Sequence, residues 1–169
     1  MFDAYGESQV LVKAMSIDYY WAQLRTKGGA YGGGLIINSS YPLGLYSYRD
    51  PHIKESNETY LKSSDFIKSI NYDDDSLLKL KIGAISDDNF VLHPSDAGRR
   101  GLTLALSGYT YKEALLNREK LLNCTSDDLK AYANDFDKLV KGSSLCVIGN
   151  AKMIEENKGL FTRIRNFTK

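Results

Sequence analysis

The sequence predicts an α+β fold in which a small antiparallel sheet of about three strands packs with several helices. Three observations carry that prediction. Apolar residues recur at three- and four-residue steps through most of the chain, which is the spacing of helix faces turned to a core. Between Tyr31 and Arg49 the pattern changes to two short strand-like runs separated by a polar turn. Late in the chain, Ser144–Ile148 is again β-branched and apolar.

The first helix is expected from about Ser8 to Lys27, with Val10, Leu11, Ala14, Met15, Ile17, Tyr20, Trp21 and Leu24 as its core stripe. Gly28-Gly29 ends it, as glycines after a periodic run do. Tyr31–Ser39, carrying Leu35-Ile36-Ile37, and Leu43–Arg49, carrying Leu45, Tyr46 and Tyr48, form a hairpin. Asn38-Ser39-Ser40 and Pro42 lie in its loop, and Asp50-Pro51 closes the second strand. Ile53–Ile70 is one helix or a pair, broken at Asn71-Tyr72-Asp73-Asp74. Asp74 or Asp75 is placed to cap Ser76–Ser86, whose apolar positions are Leu77, Leu78, Leu80, Ile82, Ala84 and Ile85. Pro94 opens a helix running to about Ser107, since proline is tolerated in a first turn.

Tyr111–Leu122 follows, and then Thr125 and Ser126 are placed to cap the clearest stripe in the chain: Leu129, Tyr132, Ala133, Phe136, Leu139 and Val140. Ser144–Ile148 is a strand, and Ala151–Arg165 a weak terminal helix. Three strands among so many helices make a narrow sheet with exposed edges. Either other chains complete it, or the sequence begins part-way through a larger domain.

The 169 residues fit one domain, 1–169, with no repeat or linker. Lys and Arg (22) balance Asp and Glu (21), which argues against a nucleic-acid surface. No apolar run approaches the roughly 20 residues of a membrane span, and no basic-then-apolar leader is visible, so a cytoplasmic location is expected. Cys124 and Cys146 read as reduced, buried thiols.

Few residues offer catalytic chemistry. His52 and His93 belong to no H-x-x-E-H, H-E-x-x-H or Cys/His cluster, so no metal site is complete. There is no G-x-S-x-G elbow, and no histidine lies near Cys124. The uneven feature is glycine: five of the chain's 14 fall at Gly28, Gly29, Gly32, Gly33 and Gly34. A phosphate loop follows a strand and opens a helix, whereas this cluster follows a helix and opens a strand. Glycines in a strand mark a close approach by a ligand or another backbone. Arg25 and Tyr31 flank the first glycines and can point to one place, where they would bind a peptide carbonyl or its developing oxyanion.

The run Tyr20-Trp21-Ala22-Gln23-Leu24-Arg25-Thr26-Lys27-Gly28-Gly29-Ala30-Tyr31-Gly32-Gly33 resembles a signature in the C-terminal half of the pitrilysin/insulinase zinc metallopeptidases, and most of all their presequence-protease branch. The resemblance continues through Tyr48-Arg49-Asp50-Pro51, Lys54–Thr59, Ile82–Ser86, Pro94–Gly101 and Leu121–Leu129, nearly the whole chain in family order. It implies a clamshell of two halves enclosing a peptide chamber. Zinc and the catalytic glutamate sit in an H-x-x-E-H motif of the N-terminal half, so no cofactor is expected in this chain.

The C-terminal half supplies an arginine and a tyrosine, matching Arg25 and Tyr31, with Gly28, Gly29, Gly32 and Gly33 as a substrate-binding wall. This chain then looks like part of the family's last domain, lacking its first strands and inactive alone. Its implied partners are a peptide substrate and the zinc-bearing half, in the same polypeptide or as a separate subunit. The alternative is a non-catalytic binding or assembly module acting in trans with such a subunit. Tyr48 and Arg49 either line the chamber or serve as core packing and a strand-end ion pair.

Overall fold

The computed structural model describes residues 6–37, 44–88 and 91–166. Its architecture is α+β, as expected, built around one long N-terminal helical rod. The rod begins as α1, Glu7–Ala14, and continues without a break as a π-helical segment, Met15–Lys27. Its amides then bond one residue further back than in an α-helix, a winding usually confined to single turns at functional sites.

The winding decides which side chains are buried. Val10, Leu11, Ala14 and Met15 face inward as the apolar stripe requires. Beyond Met15 the buried positions step by four and five, to Tyr19, Tyr20 and Leu24. Ile17 and Trp21, expected in the core, are instead 56% and 49% exposed, because wider turns rotate them off the inward face.

The hairpin forms from β1, Gly32–Ile36, and β2, Gly44–Tyr48, antiparallel with Gly32 opposite Tyr48 and Gly34 opposite Tyr46. Its loop lies outside the described residues. β1 lies against the π segment. The remaining helices are α2, Lys54–Leu61; α3, Ser63–Ser69; α4, Asp74–Asp88; α5, Pro94–Leu106; α6, Tyr111–Asn123; α7, Ser126–Ala131; α8, Ala133–Lys141; and α9, Ala151–Glu156. Helices α4, α6 and α7 pack on α1, while α7 and α8 pack on α3. Leu11, Tyr20, Leu24, Ile67, Leu129 and Phe136, all nearly inaccessible to solvent, fill the core between them.

Several helix-end signals act where the sequence predicts them. Thr125 accepts from the Asp128 amide while the Asp128 carboxylate accepts from Thr125 N, at 2.8 Å, a reciprocal cap for α7. Pro94 opens α5 behind His93. At α4 the cap is one residue earlier than expected: Asp73 Oδ1 accepts from Ser76 N at 2.8 Å, and Asp74 and Asp75 lie inside the first turn.

Three expectations are corrected at the C-terminal end. Among the described residues the sheet has two strands, because Ser144–Ile148 finds no neighbour to complete a hydrogen-bond ladder. Cys146 in that stretch is consequently exposed, whereas Cys124 is buried. The terminal helix stops at Glu156, and a single 3₁₀ turn, Lys158–Leu160, precedes irregular chain. No helix among the described residues is long and apolar enough to cross a membrane.

Candidate functional site

The helix end and the hairpin meet through the glycines. At the end of the π segment, Gly28 N donates to Gln23 O at 3.0 Å, and Ala30 N reaches back to Leu24 O at 2.9 Å. Gly29 between them has φ 75°, a left-handed conformation that glycine adopts without a Cβ penalty. The chain therefore reverses at once and delivers Tyr31 to the end of the sheet, where its amide donates to Tyr48 O at 3.1 Å. Two residues on, β1 presses onto the helix. A Cβ on Gly33 would lie 2.6 Å from Leu24 Cδ1 and 3.1 Å from Tyr46 O, and buried Leu24 has nowhere to retreat.

The glycines thus divide by role. Gly28, Gly29 and Gly33 are explained by chain reversal and close packing: a Cβ on Gly28 would meet Leu24 O at 2.7 Å. Gly32 is different, because a Cβ there would meet nothing within 4 Å. It offers open backbone beside Tyr31.

This packing brings Arg25 and Tyr31 together. The Arg25 guanidinium carbon lies 4.1 Å from the centre of the Trp21 ring and 5.8 Å from that of Tyr31. Tyr31 is 63% exposed and meets Tyr48 edge-on, with ring centres 5.9 Å apart. Arg49 completes the group, 5.7 Å from the Tyr31 ring centre and 5.4 Å from that of Tyr48. Such contacts contribute about 0.5–1 kcal/mol each at exposed positions, so they orient the side chains more than they stabilise the fold.

Neither arginine has a carboxylate within ion-pairing distance among the described residues. The strand-end ion pair considered for Arg49 is therefore absent there. Asp50, its neighbour in sequence, is engaged by α2 and the turn before it: Oδ1 accepts from His52 N at 2.9 Å and Oδ2 from Ser56 Oγ at 2.6 Å. Two guanidinium groups thus stand on an aromatic platform with donors to spare. An arginine fork and a phenol hydroxyl in this setting can donate to a carbonyl or carboxylate oxygen.

Sequence reasoning singles out Arg25 and Tyr31, which the structure brings side by side, and leaves Tyr48 and Arg49 undecided. It misplaced Trp21, which the π winding turns out of the core and under Arg25. The cluster lies apart from two clefts elsewhere on the surface. One, about 530 Å³, is lined by residues including Asp18, Glu55, Glu58, Lys62 and Asp65; another, about 420 Å³, by Ile85, Leu104, Tyr111 and Leu115 among others. Among the described residues, no three His, Cys, Asp or Glu side chains gather as a metal site.

The chain is similar to known proteins over most of its length. A family model described as the PreP C-terminal domain matches residues 3–151. Protein HypA of Clostridium perfringens is 32% identical over 166 residues, 97% of this chain and 17% of that protein. The mitochondrial presequence protease of Xenopus laevis is 30% identical over 156 residues, 92% of this chain and 14% of that protein. Presequence protease 1, chloroplastic/mitochondrial, of Arabidopsis thaliana is 30% identical over 151 residues, 89% of this chain and 14% of that protein. The chain thus spans 14–17% of the length of these relatives.

Proposed function

The chain belongs to the family of PreP C-terminal domains, and we propose that it forms the substrate-side wall of a zinc-dependent endopeptidase acting on unstructured peptides. The observation that supports this reading best is the convergence of Arg25 and Tyr31 on one exposed surface, beside the open backbone of Gly32. In this role the Arg25 guanidinium and the Tyr31 hydroxyl donate to the carbonyl oxygen of the scissile peptide. Their bonds strengthen as that oxygen gains negative charge, so they favour the transition state over bound substrate. The aromatic platform holds the guanidinium without consuming its N–H donors. Gly32 lets the peptide backbone approach the strand without meeting a side chain.

Zinc does not fit this chain's own residues. Among the described positions His52 is the only histidine near a carboxylate, its Nδ1 3.9 Å from Glu55, and one such pair cannot hold the ion. The metal and the base that activates water belong, in this reading, to the zinc-bearing half. The chain alone is then inactive, and peptide and zinc-bearing half are its partners. A trans-acting binding or assembly module is the second reading, favoured by the outer edges of β1 and β2, which pair only with each other among the described residues.

The test is mutation within the complete enzyme. Arg25→Ala and Tyr31→Phe should each lower kcat by roughly 10²–10³-fold, the usual effect of removing one oxyanion donor, with zinc content unchanged. Turnover within a few-fold of wild type in both variants would overturn the assignment.

A further inference from the structure

We infer that Arg49 is a specificity-determining residue of the same site, selecting peptides that carry an acidic side chain within a few residues of the carbonyl held by Arg25; this rests on the roles proposed above for Arg25 and Tyr31. Three observations meet at this residue. The first is its backbone. Arg49 has φ 48°, the only positive φ at a non-glycine position among the described residues. A side chain is costly in that conformation, and such strain persists where the surroundings over-determine it, often at a ligand site.

The second observation is what holds it there. On one side Tyr48 is locked opposite Gly32 and accepts from Tyr31 N at 3.1 Å. On the other, Asp50 is fixed by its bonds from His52 N and Ser56 Oγ. The chain between these anchors must turn, and the residue that turns is an arginine where glycine would be cheaper.

The third is the guanidinium itself. It lies over the Tyr31 and Tyr48 rings, 5.7 and 5.4 Å from their centres, and pairs with no carboxylate among the described residues. A cation–π contact engages the charge but uses none of the five N–H donors. A planar fork with free donors matches a carboxylate with two parallel hydrogen bonds.

The spacing fits a peptide. Arg25 and Arg49 stand 5.8 and 5.7 Å from one ring centre. An extended chain rises about 3.3 Å per residue, so it passes from one guanidinium to the other within about three or four residues. Arg25 grips backbone, and Arg49 reads a neighbouring side chain.

Trp21 gives a direct readout, being the chain's single tryptophan and lying 4.1 Å from the Arg25 guanidinium carbon. The probes are two end-blocked, unstructured decapeptides that differ only by a central Glu or Gln and carry no other charge. At low ionic strength, titration followed by Trp21 emission should show the Glu peptide binding about five- to tenfold more tightly.

Arg49→Gly should bring the two peptides to equal affinity. It also relieves the backbone strain, so an unchanged or raised Tm will separate loss of the guanidinium from misfolding. Arg49→Lys, which keeps the charge and loses the fork, should restore only part of the preference. Equal affinities in the wild type, or a preference that survives Arg49→Gly, would overturn this inference and leave the roles of Arg25 and Tyr31 standing. If neither peptide alters Trp21 emission and neither is retained in equilibrium dialysis, both readings fall.

Discussion

One helical segment carries two aromatic clusters with opposite uses. Inside, Tyr20 shares a 2.7 Å hydrogen bond with Ser63 Oγ, and Tyr19 stacks on Phe66 while donating to Thr59 O at 2.8 Å. Outside, Trp21, Tyr31 and Tyr48 are half-exposed and stand beside cations. Tyr20 and Trp21 are adjacent in sequence, yet one is sealed in the core and the other is half open to solvent. Buried aromatics contribute through area removed from water, and here the Tyr19 and Tyr20 hydroxyls each have a partner. Exposed ones contribute little stability, and their ring faces are available to hold charge in place. The helix is thus an anchor on one face and, in the proposed role, a recognition surface on the other.

The largest difference between the faces should appear on truncation. Tyr20→Ala removes a fully buried ring and should cost about 3–5 kcal/mol in urea unfolding. A loss below about 1 kcal/mol would show that the inner cluster is not core.

The glycines that join the faces come next. Gly33→Ala drives a methyl group against Leu24 and Tyr46 O and should cost about 1–3 kcal/mol. Gly32→Ala meets no neighbour within 4 Å and should cost far less. Equal losses at the two positions would mean that the strand does not press on the helix as described.

The smallest effect is one of pH. Burial, with help from the Asp65 charge, pushes the Tyr19 hydroxyl up to about 12, and burial raises Tyr20 further still. In the unfolded chain both lose their protons near pH 10. The folded state therefore binds more protons above that pH. Its stability is full below pH 10 and falls as pH rises through about 12. Tyr19→Phe should flatten part of that alkaline fall in denaturation followed by circular dichroism.

Much of this contrast was legible in advance because its causes are local. A capping box, a proline in a first turn and glycines after an apolar run act through hydrogen bonds and torsions within a few residues. Thr125–Asp128, Pro94 and Gly28-Gly29 could therefore be read directly. Arg25 and Tyr31 stood out because they flank the glycines that end the helix and open the strand, within a run that resembles a family signature. Arg49 could not be settled this way. Whether it pairs with Asp50 or leans on Tyr31 depends on Ser56 and His52 claiming that carboxylate first.

By itself, then, the sequence determined most of the helices, the hairpin, the helix end at Gly28-Gly29 and the residues that flank it, since each follows from short-range bonding. The tertiary structure alone decided the winding of Met15–Lys27, and with it the burial of Tyr19 and the exposure of Trp21. It also decided that Ser144–Ile148 stays out of the two-stranded sheet among the described residues, leaving Cys146 exposed. Helix register and strand pairing are set by which neighbours come to lie alongside, and that depends on the whole packed chain rather than on any one stretch of it.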